Sequence, residues 1–188
     1  MESAKFGIIA GYLSAYAEMA SFYRGGISFR FDLIRIPIDG DPIHSVKKHL
    51  LNELDEWGID LSAWEKVFAK DTLADFEFQI MNYPLDAFPL DDSWKQTING
   101  TVKFWFESSL INHQNIDESI YDLAIQTRVN RFFELLQDLI AERPVRVWQI
   151  DSMEHASFMN IFYDYLKNDH FILQINGDLC LLHFGMSE

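Results

Sequence analysis

Apolar residues recur at helical spacing over residues 4–23, where Phe6, Ile9, Leu13, Tyr16 and Ala20 fall on one stripe and Gly25-Gly26 ends the run. The pattern then changes period. Over residues 27–36, Phe29, Phe31 and Leu33 alternate with Ser28, Arg30 and Asp32, as a half-buried strand requires, and Pro37 closes the run. Asp41 and Pro42 predict the start of the next helix, because a carboxylate caps free N–H groups and proline gives up an N–H the first turn does not use. That helix runs to about Trp57 and stops at Gly58. Residues 61–69 read as a short helix and residues 76–83 as a strand, followed by a loop that holds Pro84 and Pro89.

Two Asn-Gly pairs predict hairpins, since both central residues of the tight turn need positive φ. Asn99-Gly100 separates residues 94–98 from 101–106, and such a turn sets Trp94 opposite Trp105, a cross-strand pair worth about 0.2–1 kcal/mol over alanines. Asn176-Gly177 separates residues 171–175 from 178–184 and sets His170 opposite His183. Between the hairpins, residues 118–141 carry Leu123, Phe132, Phe133, Leu136, Leu139 and Ile140 on a helical pattern that Pro144 ends. Residues 145–150 read as a strand, and residues 152–166 as a helix with Phe158, Phe162 and Tyr165 on one stripe. Helices and strands do not alternate regularly and no repeat or linker breaks the chain. The expectation is α+β: one domain over residues 1–188, a mainly antiparallel sheet with two Asn-Gly hairpins packed against several helices.

Composition sharpens this picture. With 48 % hydrophobic and 15 % aromatic residues the chain can fill a core, so its net charge of −14 belongs to a folded surface. The charge is uneven. Residues 1–50 hold six basic and five acidic side chains, residues 51–100 three and eleven, and the remainder six and thirteen. Lys47-Lys48 is the one adjacent basic pair, so neither a phosphate backbone nor an anionic membrane finds a cluster to bind. Cys180 is alone and forms no internal disulfide, which suits a reducing compartment. Residues 6–17 end in the small-x-small triplet Ala15-Tyr16-Ala17, as signal peptides do, but Glu2 spoils a positive leader and Gly11, Tyr12 and Ser14 interrupt the run. The segment reads as a core-packing helix, and the expected location is the cytoplasm.

Catalytic signatures are missing. There is no phosphate loop, dinucleotide fingerprint, paired-histidine zinc helix or serine elbow, and Gly25-Gly26 lacks the Gly-Lys-Ser/Thr that would follow in a phosphate loop. His170 and His183 are the exception: facing imidazoles can share a metal or act as acid and base, with Asp169 or His155 as an imaginable third ligand. Two half-buried histidines at the open end of a hairpin, bonded to backbone, explain the same pair without a function, and no cofactor or metal is expected. Carboxylate pairs such as Asp75/Glu77, Asp91/Asp92 and Asp117/Glu118 are too plentiful to single out a hydrolase.

The acidic surface offers a binding site instead. Glu53, Asp55 and Glu56 crowd the end of the helix that starts at Pro42, where the helix dipole favours cations, and Asp60 follows. Asp86, Asp91 and Asp92 surround Leu85, Phe88, Pro89 and Leu90, an apolar anchor ringed by steering charge. A loop folded over the core with Phe88 buried is the competing picture.

The chain ends in FILQINGDLCLLHFGMSE over residues 171–188. A final hairpin closing in Leu182-His183-Phe184-Gly185, then Ser187-Glu188, resembles the endings of bacterial immunity proteins that neutralise interbacterial toxins, including those of contact-dependent growth inhibition. The resemblance implies an acidic cytoplasmic protein, a monomer or weak homodimer. It implies that the chain binds a basic toxin domain, a nuclease, occludes its active site, and catalyses nothing. It assigns no residue, because the family shares no fixed binding motif. The rival expectations are a structural or adaptor subunit of an oligomer and a small hydrolase.

Overall fold

A computed structural model describes residues 2–57, 81–82, 85–110, 118–150 and 167–187. Four helices are seen among these residues: α1 (Ser3–Arg24), α2 (Pro42–Trp57), α3 (Trp94–Leu110) and α4 (Glu118–Ile140). Five strands are seen as well: β1 (Ser28–Ile36), β2 (Ala87–Leu90), β3 (Val145–Ile150), β4 (Lys167–Ile175) and β5 (Asp178–Ser187). The strands form one sheet in the order β1-β5-β4-β3-β2, antiparallel at every junction. The fold is therefore α+β with an antiparallel sheet. The short helix expected at residues 61–69, and the one at 152–166, lie outside the described residues. So does most of the strand expected at 76–83, whose described pair Met81 and Asn82 is helical.

One of the two expected hairpins forms. Asn176 and Gly177 take φ of 47° and 87°, and β4 pairs with β5 from Ile175↔Asp178 through His170↔His183 to Lys167↔Met186. A side chain at position 177 has to adopt the left-handed conformation, so Gly177→Ala should cost about 1–2 kcal/mol, read as a lower denaturation midpoint at unchanged m-value. The other hairpin does not exist. Asn99 and Gly100 lie inside α3, and Trp94 and Trp105 belong to the same helix. The reason is hydrophobic period. Folded as a hairpin, residues 94–106 mix Trp with Gln96 and Lys103 on one face and Val102 with Lys95 on the other. Wound as a helix, they bury Ile98, Val102, Trp105 and Phe106 together.

The sheet is covered on both faces. Phe29, Phe31, Leu33, Val147, Phe171, Leu173, Cys180, Leu182 and Phe184 join one cluster with buried residues of α1, α3 and α4. The alternate strand positions Ile36, Ile150, Ile172, Leu179 and Leu181 are buried too, outside that cluster, as are Val46 and Leu50 of α2. Burial on both faces leaves β5 with seven consecutive buried residues, 179–185. Asp41 caps α2 as expected, its Oδ1 accepting from Ile43 N at 2.9 Å and His44 N at 3.0 Å.

The two edges are closed differently. On β1 the outward N–H of Phe29 donates to Ser21 Oγ of α1 at 2.7 Å, and Phe31 and Leu33 are buried. On β2 Pro89, which has no N–H, sits in the strand itself, a position proline tolerates only at an edge.

Candidate functional site

The segment with Phe88 is a strand rather than a loop, and this changes what it can do. Ala87–Leu90 pairs with β3 from Ala87↔Ile150 to Leu90↔Val147, which fixes the direction of each side chain. Phe88 lies opposite Gln149, in line with Phe171 and Leu182 on the helix-covered face, but at the sheet edge its ring is 56 % exposed. The picture of a buried Phe88 is thus replaced by an exposed ring on a fixed strand. Leu90, two residues on, is partly buried against the core and secures the strand from beneath.

Asp86, which precedes the strand, and Asp91 and Asp92, which follow it, are all exposed. Asp91 is also structural. Its Oδ1 accepts from Ser93 N at 2.8 Å and its carbonyl from Trp94 N at 3.1 Å, where the chain turns into α3. The Ser93 bonds hold its carboxyl below the usual carboxylate range, so it stays charged well into acid. Asp86 thus stands at one end of β2 and Asp91 and Asp92 at the other, with Phe88 exposed between them. Glu53, Asp55 and Glu56 fall on the last turns of α2, with side chains outside the described set, and Asp60 lies outside the described residues altogether.

His170 and His183 do face each other, but their setting differs from the expectation of half-burial. Both rings are wholly buried, stacked with centroids 4.6 Å apart, on the sheet face opposite the main cluster. Their Nδ1 atoms lie 2.9 Å apart, and His170 Nε2 lies 3.1 Å from Asn168 Oδ1. An amide oxygen only accepts, so His170 donates through Nε2–H and its Nδ1 is bare. His183 must then carry its proton on Nδ1 and donate it to His170. Burial holds both rings neutral, His170 down to about 3 and His183 well below its usual 6.5, with His170 and Arg30 adding to the effect on His183. On the flanking strand, opposite His183, lies Asp32, which pairs with Arg30.

As acid and base the pair lacks access, because both rings are wholly buried. As a metal site it lacks a third ligand among the described residues, where no group of three His, Cys, Asp or Glu side chains is placed to hold an ion. Asp169 points to the opposite face, where Trp105 Nε1 donates to its Oδ2 at 2.7 Å, and His155 lies outside the described residues. Burial pushes the Asp169 carboxyl up, against the Trp105 hydrogen bond and Lys167, which pull it down. Sequence reasoning missed this Trp105–Asp169 contact because the hairpin expectation put Trp105 on a strand. It also missed the exposed outer face of α1, where Ile8, Phe22 and Tyr23 stand in solvent. Their off-stripe positions within the helix were the available signal.

Among the described residues no helix is long and apolar enough to cross a membrane. No protein-family model matches the chain, and no curated protein matches its sequence. Among solved structures, citrus MAF1 is similar over 97 % of this chain and 98 % of that one, at 9 % sequence identity and a TM-score of 0.43.

Proposed function

We propose that this chain is a cytoplasmic immunity protein that binds a basic toxin domain, a nuclease, and neutralises it by covering its active site. The observation that supports this reading is the strand β2 with Phe88 exposed on it and the exposed carboxylates Asp86, Asp91 and Asp92 at its two ends. A nuclease groove presents cations where nucleic-acid phosphates lie, and carboxylates occupy the same positions as those phosphates. Charge on both partners speeds encounter, and an aromatic ring seated in a pocket slows dissociation. Because β2 is hydrogen-bonded to β3, the backbone that carries Phe88 is held in place before the partner arrives, which lowers the ordering cost of binding. The reading assigns no catalysis to the chain, and the buried histidines do not need any.

A basic C-terminal toxin domain, to be sought first in the gene immediately upstream, is the partner to test. Co-expression with the wild-type chain should restore growth and yield a complex that copurifies. Phe88→Ala should raise the dissociation rate by roughly 30-fold, the effect of losing an anchor worth about 2 kcal/mol. Asp86→Asn/Asp91→Asn/Asp92→Asn should act on association instead. Full protection by a chain carrying all four substitutions would remove β2 from the account.

A further inference from the structure

The outer edge of β2 is closed to a strand but open to a side chain. Pro89 has no N–H, so the ladder to β3 runs through Phe88 and Leu90, which pair with Gln149 and Val147. In an extended strand the N–H and C=O of one residue point to the same side, so Ala87 and Pro89 turn theirs away from the sheet. The edge therefore offers two carbonyl oxygens, about 7 Å apart along the strand, and a single N–H, that of Ala87. Neither oxygen accepts a hydrogen bond among the described residues. Pro89 is exposed and Ala87 half-buried.

A strand laid on this edge would bring a carbonyl to position 89 and find no donor there. A side chain that only donates meets no such mismatch. The exposed carboxylates of Asp86 before the strand and of Asp91 and Asp92 after it favour a donor that is also a cation. Phe88 adds a separate requirement. Other rings near the surface are met by the chain's own groups: Lys95 lies over Trp94, Lys167 over Phe104 at 3.7 Å and Arg35 over Phe6, while Phe22 meets Tyr23 edge-on. Phe88 is 56 % exposed, and no ring or cation lies on it among the described residues.

We propose that this edge takes arginine side chains of a basic partner, whose guanidinium N–H groups donate to the Ala87 and Pro89 carbonyls and whose flat face covers the Phe88 ring. Arginine fits both demands because its donors lie in the plane of the group and its faces stay free to stack. A lysine ammonium carries the same charge but has no plane to lay on a ring. The inference rests on the proposed function for the partner's basic character, and adds how that partner is held. It is gripped through side chains on a fixed backbone, so it needs no edge strand of its own. Part of the grip comes from main-chain oxygens, so removing the three carboxylates weakens binding without erasing the preference for arginine.

Acetylated, amidated hexaarginine and hexalysine, titrated into the isotope-labelled full chain at about 150 mM salt, separate charge from geometry. In a triple-resonance spectrum the Ala87 carbonyl is read through the Phe88 amide and the Pro89 carbonyl through the Leu90 amide. Hexaarginine should move both carbonyl resonances downfield to saturation and bind about threefold or more tightly than hexalysine. Phe88→Ala should abolish that preference while both carbonyls still move. Hexaarginine that leaves both carbonyls unmoved or binds no more tightly than hexalysine overturns the proposal, as does a preference that survives Phe88→Ala. The proposed function fails separately: a chain that passes this test and captures no basic toxin domain removes that function and leaves the arginine site. A chain that fails it and still captures a toxin does the reverse.

Discussion

Lowering the pH from 7.5 to 5 should remove on the order of 4 kcal/mol of stability through His170 and His183 alone. Both rings are wholly buried and held neutral in the folded protein. In the unfolded chain each takes up a proton near its ordinary value of 6.5. A folded value depressed in this way gives stability that is complete above 6.5 and is lost as the pH falls toward the folded value, about 3 for His170. Over that window the unfolded chain binds up to two more protons, and the slope approaches about 2.7 kcal/mol per pH unit. Asp169 works the other way, because its raised folded value lets the native state accept a proton early. It trims the slope at the acid end without changing its sign.

Substitution separates the hydrogen bond from the titration. His183→Leu leaves His170 Nδ1 buried without its donor and should cost about 1–3 kcal/mol at pH 7.5. His170→Leu/His183→Leu removes both polar groups at once. It should cost less than the single variant at pH 7.5 and flatten the acid limb between pH 6.5 and 5, as followed by urea denaturation across that range. An acid limb as steep in the double variant as in the wild type would place the titrating groups elsewhere.

The second large effect lies at Trp105. Its ring is fully buried, edge-on to Phe31 at 5.9 Å and stacked on Phe184 at 6.4 Å, and its Nε1–H donates to Asp169 Oδ2 at 2.7 Å. Trp105→Ala should cost about 3–5 kcal/mol for the cavity, and it strands a desolvated carboxyl besides. Against a total stability of about 5–15 kcal/mol, that is enough to leave the chain partly unfolded. Trp105→Phe keeps most of the volume and loses the donor, so it should cost less. Its deficit should shrink when Asp169→Asn is added, which a double-mutant cycle by thermal denaturation can measure.

Trp105 also shows where the sequence could be read and where it could not. Helices α1, α2 and α4 and strands β1, β3, β4 and β5 follow from periods that Gly and Pro punctuate at their ends. Helix α3 did not, because the Asn-Gly pair only permits a turn, whereas the placement of Ile98, Val102, Trp105 and Phe106 demands a helix. The spacing Ser93-x-x-Gln96, the signature of a helix N-terminus, was the signal that could have found it. Strand β2 was hidden by Pro89, which argues against a strand everywhere except at an edge. The burial of the two histidines was missed because they were placed at the open end of the hairpin, whereas the pairing runs on past them to Lys167↔Met186. The near-unbroken apolar runs in residues 171–175 and 179–184 already pointed to a sheet covered on both sides. Within the candidate site, the exposure of Asp86, Asp91 and Asp92 follows from their charge, while the mounting of Phe88 on an edge strand needed the pairing with β3.

The central claim is that this acidic surface captures a basic toxin domain, and association kinetics test it most directly. Stopped-flow rates with a purified basic toxin domain from which the chain protects cells should be measured at low and high salt for the wild type and for Asp86→Asn/Asp91→Asn/Asp92→Asn. The wild-type rate constant should fall by about tenfold or more as exposed charges become screened, and the triple variant should start slower and depend less on salt. A wild-type rate that is the same at both salt concentrations, or a triple variant indistinguishable from it, would contradict the account.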